Sequence, residues 1–194
     1  MHILKVLNTL IILIFLNIPA LPQEKENTTG KYISWTLLQA VPSFGFVQDA
    51  NSNDARIQLA LKWNITPVNF SFTANKYVSP FQFFMINPVR RNTGSIEIFI
   101  QPELATASYS YNNFNKFGLS TGTRLILPVS EMGENISASI GGKYNYRNLN
   151  SGEKYQSFGI EAGIYFIAGI VGFQAGYNFD SRSRYTFNFY FKYF

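Results

Sequence analysis

The sequence predicts an all-β fold: an antiparallel up-and-down transmembrane β-barrel of ten strands, with eight strands as the alternative. Three observations predict it. The chain ends on Tyr185 to Phe194, where every odd position is aromatic (Tyr185, Phe187, Phe189, Phe191, Tyr193) and the even positions include Thr186, Asn188 and Lys192. Such alternation makes a strand with one greasy face and one largely polar face. A strand that apolar invites aggregation unless lipid covers its face and neighbours pair its edges. Next, aromatics are 17% of the chain and charged residues only 14%, against an ordinary charged share of about 25%. Finally, the chain begins with an export signal and holds no second apolar run long enough for a spanning helix. An exported, aromatic-rich chain without a helical span crosses a membrane with strands, if it crosses at all.

The export signal is Lys5 followed by the apolar run Val6–Ile18, then Pro19-Ala20-Leu21-Pro22-Gln23. The run is shorter than the roughly 20 residues of a membrane-spanning helix. Residues 1–20 are therefore read as a signal peptide, with cleavage between 20 and 23. Residues 21–31 are a polar periplasmic leader and 32–194 the barrel.

Cleavage removes Lys5 and His2. Of 16 Lys+Arg, 15 remain against 11 Asp+Glu, a net charge of +4. The remaining chain has no His, and the whole chain has no Cys. That removes disulfides, thiolate metal sites and the usual base for nucleophilic catalysis. No cofactor and no metal site is expected. Phosphate-binding loops and nucleic-acid motifs are absent, so nucleic acid is not an expected partner.

The strands are expected as follows. Ile33, Trp35, Leu37 and Val41 share one face of the first. Ile57, Leu59, Leu61, Trp63 and Ile65 share one face of the second, and Thr66-Pro67 ends it as a tight hairpin turn. Val68, Phe70, Phe72 and Ala74 form the third. Pro80–Pro88 is apolar but poorly alternating, and it is a strand only in the ten-strand count. Five more follow around Ile96–Ile100, Leu119–Leu127, Ile136–Tyr146, Phe158–Phe166 and Val171–Phe179, before the terminal strand. An even count puts both ends on one side. Turns on that side fall at Thr66-Pro67, Pro88–Gly94, Pro128–Glu134 and Ala168-Gly169. Loops on the other fall at Ser43–Asp54, Asn75–Ser79, Ala105–Asn115, Asn148–Lys154 and Asp180–Ser183. Phe44, Phe46, Tyr109 and Tyr111 are loop aromatics that contact a partner or pack at the barrel mouth.

Alternation alone does not say which face points inward. Small residues recur on the polar faces, as at Ser120, Gly122, Ser139, Gly141 and Gly176, and these suit a crowded, curved interior. The apolar faces are thus expected outward. The lumen then holds Arg56, Lys62, Glu97, Arg124, Lys143, Glu161 and Lys192, with Lys143 diagonal to Glu161 as an ion pair. Trp35, Trp63, Tyr144, Tyr146, Tyr177, Phe179, Tyr185 and Tyr193 form two aromatic girdles.

With its signal peptide, alternating strands and aromatic ending, the chain resembles the small bacterial outer-membrane β-barrels of the outer-membrane-protein-A or porin-like superfamily. The resemblance implies a bacterial outer-membrane location with both mature ends periplasmic. It also implies outer-membrane lipid as surroundings, the barrel-assembly machinery as a partner during biogenesis, and contact with other outer-membrane proteins. It further implies an assembly signal in Phe189, Phe191, Tyr193 and Phe194. Phe194 is out of phase with the odd-numbered outward set, which calls for a bulge near Tyr190, for Tyr193 in its role, or for a variant signal.

The expected function is a non-enzymatic structural or accessory subunit of an outer-membrane assembly. The alternative is a narrow channel for small polar or anionic solutes. A barrel enzyme acting on lipid or peptide is less favoured, because the mature chain has no His. A Ser120–Lys143 dyad is the residual candidate.

Overall fold

Eight antiparallel strands close on themselves, and two more are hydrogen-bonded outside the ring. The computed structural model describes residues 28–51, 54–73, 75–105, 114–130, 136–149 and 154–192. The predicted signal and leader lie almost wholly outside them. Residues 1–32 and 33–194 are separate compact units, and the described part of the first, residues 28–32, is helical. In chain order the elements are α1 (Thr28–Gln39), β1 (Ser43–Asn51), β2 (Asp54–Lys62), β3 (Ile65–Ser71), β4 (Phe81–Phe83), α2 (Pro88–Asn92), β5 (Ser95–Ala105), β6 (Phe114–Ser130), β7 (Ile136–Leu149), β8 (Lys154–Phe166), β9 (Val171–Asn178) and β10 (Tyr185–Phe191), with a 3-10 turn at Ser181–Ser183. The ring is β2-β1-β10-β9-β8-β7-β6-β5, closed by β2 on β5. Eight strands, the alternative count, thus form the barrel.

Closure can be read from the register. Moving straight across the strands, Ser95 leads through Ile126, Ser139, Gly163, Gln174, Asn188, Gly45 and Ala60 to Ala105. The path re-enters β5 ten residues from its start. With strands about 4.8 Å apart and a rise of about 3.3 Å per residue, a stagger of ten over eight strands tilts them by about 40°. An even stagger also lets inward and outward positions alternate around the ring without a break.

The N-terminal third departs from expectation. Ile33–Leu37 is helical, not a strand. Positions 33, 37 and 41 are spaced four apart as well as two apart, so the apolar residues fit a helix face equally well. Pro42 then stops the helix, because the residue before a proline avoids helical geometry. The first strand is Ser43–Asn51, read above as a loop because Gly45, Gln48 and Asp49 dilute its alternation. Its partner is β2, from Ser43↔Lys62 to Asn51↔Asp54. The first hairpin therefore turns at 51–54. Phe44 and Phe46 are wall residues of β1, both more than half exposed; Tyr109 and Tyr111 lie outside the described residues.

No turn forms at Thr66-Pro67. Pairing continues along β5 from Lys62↔Glu103 through Ile65↔Ile100 to Ser71↔Ser95, so β3 prolongs β2. Trp63 N donates to Pro102 O at 2.9 Å and bridges the join. Pro67 sits at a register irregularity, where a residue without an N–H is tolerated. Of Pro80–Pro88 only Phe81–Phe83 is a strand, pairing with β3 outside the ring. Because β3 continues β2, Asn75–Ser79 falls at the same rim as the start of β1 and the end of β10, here called the lower rim. The expected turns at Pro88–Gly94 and Ala168-Gly169 also lie at this rim. The expected loops beyond β5, β7 and β9 fall at the upper rim.

The walls alternate as expected from residue 95 onward. On β8 the even residues are exposed and the odd ones buried. Ile140, Phe158, Ile160, Phe173 and Phe187 are each more than half exposed on the outer face, while the buried set is rich in Ser, Asn, Gln and charged side chains. The described part of β10 keeps a regular register with β9 from Tyr185↔Tyr177 to Phe191↔Val171, without a bulge near Tyr190.

The seam between the first and last strands is short, Phe44↔Phe189 to Val47↔Thr186. Its lower end is finished by a side chain. Ser43 Oγ donates to Phe191 O at 3.1 Å and accepts from Phe191 N at 3.0 Å and Asn64 Nδ2 at 3.1 Å. Ser43→Ala should therefore lower the stability of the folded barrel by about 1–3 kcal/mol, the cost of buried polar groups left unpaired; equilibrium urea unfolding followed by gel mobility measures it.

Candidate functional site, the polar lumen

Ten charged side chains are at least nine-tenths buried among the described residues: Lys62, Arg91, Arg124, Lys143, Arg147 and Lys192, with Asp49, Glu97, Glu103 and Glu161. Six of the seven lumen charges expected from sequence are in this set. The seventh, Arg56, is on the same face of β2 but only half-buried near the upper rim. The other four, Asp49, Arg91, Glu103 and Arg147, are not in the expected set. Asp49 lies in β1, where a loop is expected. Glu103 is in phase with Glu97 and Gln101, but Pro102 obscured the strand. Arg147 is likewise in phase with Lys143. Arg91 comes from α2, where no alternation signals an inward residue.

The lower cluster centres on Glu97. Arg91 grips it through Nε at 2.7 Å and Nη2 at 3.1 Å. Arg124 Nε lies 3.1 Å from Glu97 Oε1 and 3.2 Å from Glu161 Oε1. The chain Arg91–Glu97–Arg124–Glu161 alternates in sign, which buried charges require. Tyr165 joins it: its hydroxyl accepts from Arg124 Nη1 at 3.0 Å and Gln174 Nε2 at 2.8 Å. Its ring and that of Tyr190 lie 5.1 and 5.7 Å from the Arg91 guanidinium.

The expected Lys143–Glu161 pair does not form. Register places Arg124 opposite Gly141 and Gly141 opposite Glu161. A Cβ at Gly141 would lie 2.6 Å from Arg124 Cβ. With no side chain there, Arg124 crosses to Glu161 and takes the carboxylate.

α2 carries Arg91 across the lower mouth. Asn87 caps it by accepting from Arg90 N at 3.1 Å, and Pro88 opens the first turn. At its other end Asn92 Nδ2 donates to Ala168 O at 2.9 Å, and Ser137 Oγ donates to Asn92 Oδ1 at 2.8 Å. The helix is thus fastened to β7 and to the turn after β8.

The second cluster joins Lys62 and Arg147 to Glu103, with Lys62 Nζ at 3.3 Å and Arg147 Nη2 in direct contact. Lys143 Nζ donates to Thr186 Oγ1 at 3.2 Å, and Lys192 Nζ to Thr66 Oγ1 at 3.1 Å. The space left among Lys62, Glu103, Lys143 and Arg147 is about 20 Å³, room for about one water. Ser120 Oγ donates to Asn145 Oδ1 at 2.8 Å, so the Ser120–Lys143 dyad is not assembled. No group of three or more Asp, Glu, His or Cys able to hold a metal ion occurs among the described residues.

No family model, curated protein or solved structure matches this chain.

The girdle residues divide. Tyr144 packs on Phe158 at 5.0 Å between ring centroids, and Tyr177 meets Phe179 at 5.8 Å and Tyr185 at 5.6 Å. These form a band on the outer wall toward the upper rim, with Tyr146 beside them on β7. At the lower rim Trp63 Nε1 donates to Ala40 O at 2.9 Å. Trp35 is on α1 rather than a strand, edge-on to Phe84 at 6.5 Å. Phe189 faces outward against Phe173 at 5.2 Å and Phe191 is half-buried, while Tyr193 and Phe194 lie outside the described residues. Above the strands, partial burial pushes the Asp180 carboxyl up, but hydrogen bonds from the Arg182 guanidinium and N–H more than offset this and hold it below its ordinary range.

Glu97→Gln should leave two buried guanidiniums short of an anion and destabilise the barrel by about 3–5 kcal/mol. Asp180→Asn, which weakens a partly exposed pair at the upper rim, should cost about 0–1 kcal/mol. Urea unfolding of the two variants side by side checks the contrast.

Proposed function

We propose that this chain is a non-enzymatic integral protein of the bacterial outer membrane, a structural or accessory subunit whose lumen is sealed. It is exported through its signal peptide, and its strands begin and end on the periplasmic side. The observation that carries this reading is the inversion of the barrel: a closed wall with Ile140, Phe158, Ile160 and Phe173 more than half exposed outside, around a core of paired charges. In water such a wall would drive association; in a bilayer it is the solvent-matched surface.

Strand length supports the same reading. A tilted strand needs about 9–11 residues to cross a hydrocarbon core. β6, β7 and β8 have 17, 14 and 13. β9, β10 and β1 are shorter, at 8, 7 and 9. Below β1, Ile33, Leu37 and Val41 are 57%, 66% and 46% exposed and extend the apolar surface. The upper-rim aromatic band suits a lipid interface.

The lumen supports a sealed barrel over a catalytic one. The Thr186 and Thr66 hydroxyls that meet Lys143 and Lys192 are buried among packed side chains with no room for a substrate, and α2 lies across the lower mouth. A second reading, a narrow channel for small anions, draws on the six-to-four excess of buried cations.

Two experiments test the proposal. Planar-bilayer recordings of the pure protein should show no steady conductance steps; regular steps would favour the channel. Ile140→Arg, on the outer face of β7, should cost about 2–4 kcal/mol near a bilayer midplane, measured by urea unfolding in lipid vesicles. Unchanged stability in Ile140→Arg would count against lipid contact.

A further inference from the structure

The second cluster encloses a small cavity rich in cations. Lys62, Lys143 and Arg147 all line it, and the single carboxylate among its lining residues is Glu103. Glu103 is already bonded to both Lys62 and Arg147. Lys143 is 4% exposed, and among the described residues no carboxylate reaches salt-bridge distance of its Nζ; its hydrogen bond is to the Thr186 hydroxyl.

The fold makes room for this ammonium. A Cβ at Gly176 would lie 2.5 Å from Lys143 Nζ and closer still to Thr186 Oγ1. Thr186 accepts from Lys143, which leaves its own O–H to donate. Lys143 has no carboxylate in direct contact, and in a low-dielectric enclosure its ammonium and that of Lys62 repel one another strongly. A further anion between them turns that repulsion into attraction.

We infer that this cavity binds a single small inorganic anion of halide size, held by the Lys143 and Lys62 ammonium groups and the Thr186 hydroxyl. About 20 Å³ admits one particle of roughly the size of water. That suits a monatomic anion such as chloride or bromide rather than an organic acid the size of gluconate. The site goes beyond the sealed-barrel reading and does not depend on lipid around the wall.

The test uses the full chain folded in detergent micelles. Its thermal midpoint, read by gel mobility, is compared at equal ionic strength in sodium chloride and in sodium gluconate, whose anion is too large to enter. The midpoint should be several degrees higher in chloride. Lys143→Met, similar in length but uncharged, should abolish the difference, while Lys154→Gln at an exposed position should keep it. Equal midpoints for the wild type, or a full chloride response in Lys143→Met, would overturn the site. A second readout needs no variant. Chloride-35 line width should broaden on adding the folded protein and narrow again with bromide; an unbroadened line would also overturn it.

Discussion

Closing eight strands into a ring leaves a lumen about as wide as two facing side chains, and every polar group inside must find its partner there. The rest of the structure depends on that constraint. A stagger of ten residues sets which positions face one another across the interior. Arg124 on β6 meets Glu97 on the neighbouring β5, and it reaches Glu161 on β8 because Gly141 of β7 stands where a side chain would block the way. Replacing a buried ion pair by apolar residues is often neutral in a protein core. Here the outer wall is already apolar, so the polar network also marks which face of each strand is the inside.

The same constraint explains how the ends are finished. Where β1 falls short of β10, the Ser43 hydroxyl takes over both backbone groups of Phe191. Where β2 outruns β1, its continuation β3 takes β4 as a new neighbour. α2 then crosses the lower mouth and delivers Arg91 to Glu97. A short helix, a bulge at Pro67 and one serine thus complete what the ladder leaves open. None of them alters the ring itself.

The two faces divide the chemistry. Outside, the wall presents aliphatic and aromatic groups that water does not favour. Inside, cations outnumber carboxylates among the described residues, and the cavity of the second cluster holds about one water. A membrane setting and a buried inorganic anion answer separate halves of this arrangement. Either can stand without the other.

How far the sequence reaches can be judged residue by residue. By itself it determined the β-barrel class, the outward direction of the apolar faces from Ile96 onward, and six buried lumen charges from Lys62 to Lys192. Period-two alternation is a local property, and long strands repeat it often enough to be read. Only the tertiary structure decided the rest. Ile33–Leu37 became a helix because spacings of two and four share the same residues and Pro42 forbids continuing. β1 was hidden by Gly45 and Asp49, inward residues whose fitness shows only beside β2 and β10. Thr66-Pro67 became a bulge rather than a turn because β5 is long enough to pair past it. Glu161 went to Arg124 rather than Lys143 because ion pairs depend on register between strands, and register is set by closure of the ring, which no single strand encodes.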